Sequence, residues 1–291
     1  MSAFYNDYAR VGAIVWFQRP SIVTCRTHID RNIPLLCRRS ENHRYMNDTD
    51  DARLSAEAAK EERRMIRRTI KDLVFTTVFK ERINVATLYK DLHPEHTDVS
   101  EEDVEIVTLE NVISTGETND LGFVVNNRLL CLVEAQTVRM KAILLRNLVY
   151  LADTYKRMMQ SRNLTVYDVD EKDMPVWEMY VIYPRDKGKN GGIRVHMYDS
   201  IPRNLFDLSA GKDIVVDTKG LINDYANVCG TIDRIITEEG NGKKALRELI
   251  EECRGKDGII ERFIVSRETE IMDLFEEMWT REGSIRACNR Y

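Results

Sequence analysis

Two apolar runs, Leu121 to Val125 and Leu129 to Val133, flank the turn pair Asn126-Asn127. Asparagine tolerates the positive φ that a two-residue hairpin turn needs, so the segment predicts two antiparallel strands in a buried hairpin. Both greasy strands end in polar groups: Asn119-Asp120 before the first, Glu134-Ala135-Gln136 after the second. Side chains alternate along a strand, which sends Glu134 and Gln136 to one face and Val133 and Ala135 to the other, and hairpin pairing brings Asp120 alongside them. A buried carboxylate is costly without a partner, so this site demands a cation, a hydrogen-bond network, or exposure at the end of the sheet. Two carboxylates here are able to hold a metal ion. An acid two residues before a glutamine also marks many strands that simply emerge into water.

The flanking chain supplies more elements. Ser55 to Phe79 reads as a helix, charged at first and then apolar at Ile66, Ile70, Val74 and Val78, with a break near 80–84. Pro94 to Asp103 is polar and reads as a solvated loop, with His93 and His96, which flank its proline, assigned no metal role. Glu105 to Leu109 alternates as a short strand ending in Glu110. The strand carrying Glu134 is expected to be central, flanked by strands at 105–109 and 119–125. A helix over 139–159 follows, with Leu144, Leu148, Leu151, Tyr155 and Met158 as its apolar stripe. At 100° per residue, Arg146 and Arg157 share its other face, with Tyr150 between them and Arg139 joining if the helix starts early. Such a stripe is either a solvated face or a phosphate contact. Met174 to Pro184 and Ile193 to Tyr198 read as strands, joined by a basic loop, Lys187 to Gly192, too irregular for a phosphate-binding P-loop. Beyond Gly220 the pattern is helical: Leu221 to Glu239, Lys243 to Arg254, and a last helix with Ser266 as its N-cap.

The residues Lys71 to Phe75 with Val78-Phe79, Thr108 to Ile113, Asn119-Asp120, Glu134 to Thr137, and Leu145 to Tyr150 with Tyr155 resemble, in order and spacing, the PD-(D/E)XK nuclease family transposases of bacteria, the Rpn-like recombination-promoting nucleases. Trp177 to Pro184 resembles the family's later strand, and the likeness runs more loosely through the helices after Leu221. The resemblance implies an α/β fold with a restriction-endonuclease-like core, a mixed central sheet flanked by helices, over 55–217, and a C-terminal helical appendage over 218–291. It implies a metal-dependent DNA endonuclease with Asp120, Glu134 and Gln136 as catalytic residues, and Asp120 and Glu134 holding Mg²⁺ or Mn²⁺. Arg146, Tyr150 and Arg157 are the expected DNA contacts, and Asp72 and Glu110 the candidates for further acids. Hydrolysis of a phosphodiester suits this set, because ionised carboxylates offer the hard oxygens that Mg²⁺ prefers. The family pattern usually ends in Lys where this chain has Gln136, which carries no charge but is able to orient a water. The alternative is a degenerate nuclease fold serving as a DNA-binding or protein-interaction module.

The partner implied is DNA, with a homodimer as an open option, although the net charge of −5 weighs against tight binding unless Arg63, Arg64, Arg67, Arg68 and the Arg146 stripe form a local patch. Residues 1–45 carry seven Arg and three acids, a net of +4, against −9 for the remainder. Two readings fit: a basic arm on nucleic acid, or a translation start at Met46, which is the expectation here, with 1–54 an extension outside the fold. Cys25, His28, Cys37 and His43 match no familiar zinc spacing. The six cysteines form no framework, and no apolar run reaches the roughly 20 residues of a membrane span, so a cytoplasmic protein with free thiols is expected.

Overall fold

The computed structural model describes residues 48–109, 121–136, 139–207 and 209–288. Asp120, Glu110 and the Cys25, His28, Cys37 and His43 group lie outside them. The chain forms α1 (Asp48–Phe79), α2 (Arg82–Leu92), β1 (Val104–Leu109), β2 (Leu121–Val125), β3 (Leu129–Ala135), α3 (Ile143–Ser161), β4 (Val176–Lys187), β5 (Ile193–Tyr198), β6 (Lys212–Val215), α4 (Leu221–Glu238), α5 (Gly242–Cys253), α6 (Ile259–Ser266) and α7 (Glu268–Cys288).

The six strands make one mixed sheet in sequence order. β1, β2 and β3 form an antiparallel meander, α3 carries the chain across to β4, which runs parallel to β3, and β5 and β6 return antiparallel. The β2–β3 hairpin turns as expected: Asn126 and Asn127 have φ of 50° and 56°, both in the left-handed region that a primed turn requires. β3 is an interior strand, but its neighbours are β2 and β4; the strand at 104–109 is the sheet's edge. The hairpin pairs β2 with β3 and the crossover through α3 delivers β4 to the far side of β3, so β1 has only β2 to join.

Strand alternation splits the core in two. Phe123, Cys131, Val133, Tyr180, Ile182 and Val195 face a layer built from α1, α2 and α4–α7. Val124, Leu130, Leu132, Met179, Val181 and Tyr198 face α3, where they meet Ile143, Leu144, Leu151 and Met158. At about 1.5–3 kcal/mol for each large side chain fully buried, these two layers supply the main drive for folding.

The expected C-terminal appendage is instead part of the core. α4 buries Leu221, Ile222, Tyr225, Val228, Cys229, Ile232, Ile235 and Ile236, a band wider than one stripe, because it packs on β4 and on α1 together. Ser266 closes α6 and does not cap the last helix; its hydroxyl donates to the Phe263 carbonyl at 2.8 Å. Among the described residues no helix is long and apolar enough to cross a membrane.

Candidate functional site

β3 is hydrogen-bonded on both sides, so its alternation carries Glu134, after Leu130 and Leu132, onto the α3 face with no exposure at all. Gln136 continues the ladder one step, its backbone N–H donating to the Ile182 carbonyl at 2.9 Å. Two residues apart on an extended chain, the side chains of Glu134 and Gln136 lie together as expected: Gln136 Nε2 donates to Glu134 Oε1 at 2.6 Å.

The cation that a buried carboxylate demands comes from α3. Arg146 Nη2 lies 2.6 Å from the same Oε1, with its side chain about a third exposed (32%). The guanidinium is steered by Tyr150 one turn on: Nε donates to the Tyr150 hydroxyl, and Cζ sits 5.3 Å from the centre of that ring. Tyr150 is itself buried. Arg146 and Tyr150 thus turn inward to the acid rather than forming an outward stripe. Arg157 stays on the surface and pairs with Asp153 at 2.7 Å.

Three of the other expected cations are similarly engaged. Arg67 pairs with Asp233 at 2.9 Å, as Lys71 does at 2.8 Å, Arg64 lies 3.6 Å from Glu61, and Arg68 donates to Asp72 at 3.3 Å. Asp72 does not reach Glu134, since α1 packs on the sheet face that Glu134 turns away from. With Asp120 and Glu110 outside the described residues, the set brought together is Glu134, Gln136, Arg146 and Tyr150.

A second polar group lies alongside on the same face, and the sequence reading missed it. Burial raises the Tyr183 phenol above its usual range, opposed by Arg139 and reinforced by the negative charges around it, Glu134 among them. Arg139 lies over that ring at 5.1 Å and donates to Asp186 at 2.7 Å. Asp186 also accepts from Arg194 at 3.3 Å, and Arg194 donates to Asp213 at 3.0 Å. Asp213 in turn meets His196 Nδ1 at 2.6 Å, and the hydrogen bond from His196 is the largest factor holding the Asp213 carboxyl below its usual range. The parity of Arg194 and His196 on β5 was readable, but their acids lie on β4 and β6, which no local spacing connects.

Chemically, the site offers a shielded carboxylate, an amide able to hold a water, and an anchored guanidinium suited to bidentate contact with a phosphate. No protein-family model matches the chain, and neither a curated protein nor a solved structure matches it.

Proposed function

We propose that this protein is a metal-dependent DNA endonuclease with a PD-(D/E)XK-like core, acting through Asp120, Glu134, Gln136 and Arg146. The observation that carries the reading is a carboxylate with no solvent exposure at the end of an interior strand, held by a glutamine two residues on and an arginine from the next helix. A buried charge of this kind costs several kcal/mol to desolvate and is weak evidence for stability, which makes a chemical role the better account of it. The order of elements supports the same reading: helices, a three-strand meander, a helix, then a strand parallel to the third.

The donor set fits a hard dication, because Glu134 and Gln136 present oxygen ligands, and Arg146 keeps the Tyr150 hydroxyl as a partner if Glu134 turns to a metal. Mg²⁺ or Mn²⁺ held by Asp120 and Glu134 would polarise the scissile phosphate and lower the pKa of the attacking water. Gln136 would orient that water through its amide. Arg146 would supply the positive charge that the usual motif Lys brings, and contact the phosphate.

A second reading, the non-catalytic module, is favoured by one fact: Arg146 and Gln136 both already engage Oε1 of Glu134. Nicking of supercoiled plasmid in Mg²⁺ or Mn²⁺ separates the two. The nuclease reading expects cleavage that stops with chelator and is lost in Glu134→Gln and Asp120→Asn with folding retained. Cleavage that persists in Glu134→Gln overturns the assignment, and no cleavage by the folded wild type favours the module.

A further inference from the structure

On the opposite face of the sheet, His93 caps the C-terminus of α2 and brings its ring against Glu178 and Tyr180 of β4. The ring lies 4.4 Å from that of Tyr89, at 30° to it, which fixes its plane. Its Nε2 is 3.1 Å from Glu178 Oε2 and 2.8 Å from the Tyr180 hydroxyl, and that hydroxyl donates to Glu178 at 2.5 Å. Cys131, wholly buried, is the β3 register partner of Glu178, so both side chains rise from adjacent strands on one side. The ligand atoms of His93, Cys131 and Glu178 all lie within 4.8 Å of one another.

Hydrogen bonding alone does not explain this composition. A thiol, an imidazole and a carboxylate from three separate elements converge on one point, with the His93 and Glu178 side chains only 11% and 19% exposed. Ligands at ~2.0–2.3 Å from a tetrahedral zinc stand roughly 3.3–3.7 Å apart, so a contraction of about 1 Å would complete the set. Glu95 and His96 are both exposed, and their ligand atoms also lie within 4.8 Å of that of His93. Tyr180 supplies the outer hydrogen bond that orients a ligating carboxylate.

We propose that His93, Cys131 and Glu178 bind a zinc-class divalent ion, with water in the fourth position and Tyr180 orienting Glu178. On binding, the Cys131 thiol forms its bond to the metal and gives up its proton to solvent. The mixed nitrogen, sulfur and oxygen set selects zinc or cobalt over magnesium, so this site is independent of the nuclease reading. The ion would tie the end of α2 to β3 and β4.

The test is titration of the chelator-stripped full chain with Co²⁺. The expected result is about one equivalent bound, with the intense visible absorption of four-coordinate cobalt and a near-ultraviolet thiolate-to-cobalt band, both displaced by Zn²⁺. Cys131→Ser should lose the thiolate band, while Cys229→Ser and Cys253→Ser keep it; His93→Ala and Glu178→Gln should lose tight binding, and Tyr180→Phe should weaken it by about tenfold. Circular dichroism checks that each variant folds, and the wild-type titration stands without them. A folded wild type that gives no cobalt spectrum and no zinc-dependent rise in melting temperature overturns the proposal, as does a thiolate band undiminished in Cys131→Ser.

Discussion

Arg146 Nη2 on the first turn of α3 stands 2.6 Å from Oε1 of Glu134 at the end of β3, the guanidinium partly in water and the carboxylate wholly out of it. The pair therefore costs little to break from the arginine's solvated side and much from the acid's. Truncating Arg146 removes the cation from a buried charge to which the Gln136 amide also donates.

Arg146→Ala should accordingly lower stability by about 2–3 kcal/mol in urea unfolding, less than the roughly 3–5 kcal/mol of a fully buried broken pair because a third of the arginine is exposed. Replacing both members, as Glu134→Leu with Arg146→Leu, should recover most of that loss, since no charge is then left to desolvate. A single Arg146→Ala variant within about 0.5 kcal/mol of wild type would show that water already reaches the carboxylate.

How the site was legible follows from these same residues. Period two placed Glu134 and Gln136 together, and the Asn126-Asn127 pair set the register that carries Glu134 into an interior strand. The inward turn of Arg146 and Tyr150 was not legible, because a helical projection gives directions about an axis but not where the axis starts. α3 begins at Ile143, which brings its first turn to the end of β3. His93 was set aside as a loop residue, since its partners come from other elements, with Tyr180 lying 87 positions along the chain. The C-terminal helices looked separate because the sequence shows an apolar face without showing what covers it.

Asp91, on α2, accepts from the Ile222 backbone N–H at 2.9 Å and so joins α2 to the N-terminus of α4. Burial is the largest influence on its carboxyl and pushes its pKa up to about 6 in spite of the two backbone donors at Leu221 and Ile222. The folded state then holds this proton more tightly than the unfolded chain, whose value is near 4. Stability from this group is fully present below pH ~4 and is lost as pH rises through about 6, the reverse of a salt-bridged aspartate. Asp91→Asn should keep an acceptor for the Ile222 N–H, raise stability at neutral pH, and flatten the stability profile between about pH 4 and 6. Unfolding curves collected across that window check it; a variant with the wild-type slope would place the titration elsewhere.

The β2–β3 turn gives a backbone test. Asn127 at φ 56° occupies a conformation that a β-branched side chain adopts at a cost of roughly 1–2 kcal/mol. Asn127→Val should destabilise by about that amount, while Asn127→Gly should be neutral or slightly stabilising. Equal midpoints for the two variants in denaturant would mean that the hairpin accommodates another turn type.

The division of labour between Gln136 and Arg146 can be tested on activity. In the proposed nuclease, Arg146 brings to Glu134 the positive charge that the usual motif places two residues after the acid, where this chain has Gln136. Arg146→Ala should then reduce cleavage by about two orders of magnitude, a value typical of removing one electrostatic donor. Gln136→Lys puts an ammonium on the same strand face, so in the Arg146→Ala background it should restore most of the lost rate, and in the wild type it should add little. Lysine also offsets the buried charge of Glu134, so stability should recover with activity, and plasmid nicking should be read beside the urea midpoint. Recovery of the midpoint without recovery of cleavage would assign Arg146 to structure alone and leave the phosphate to another cation of the site, with Arg139 the next to substitute.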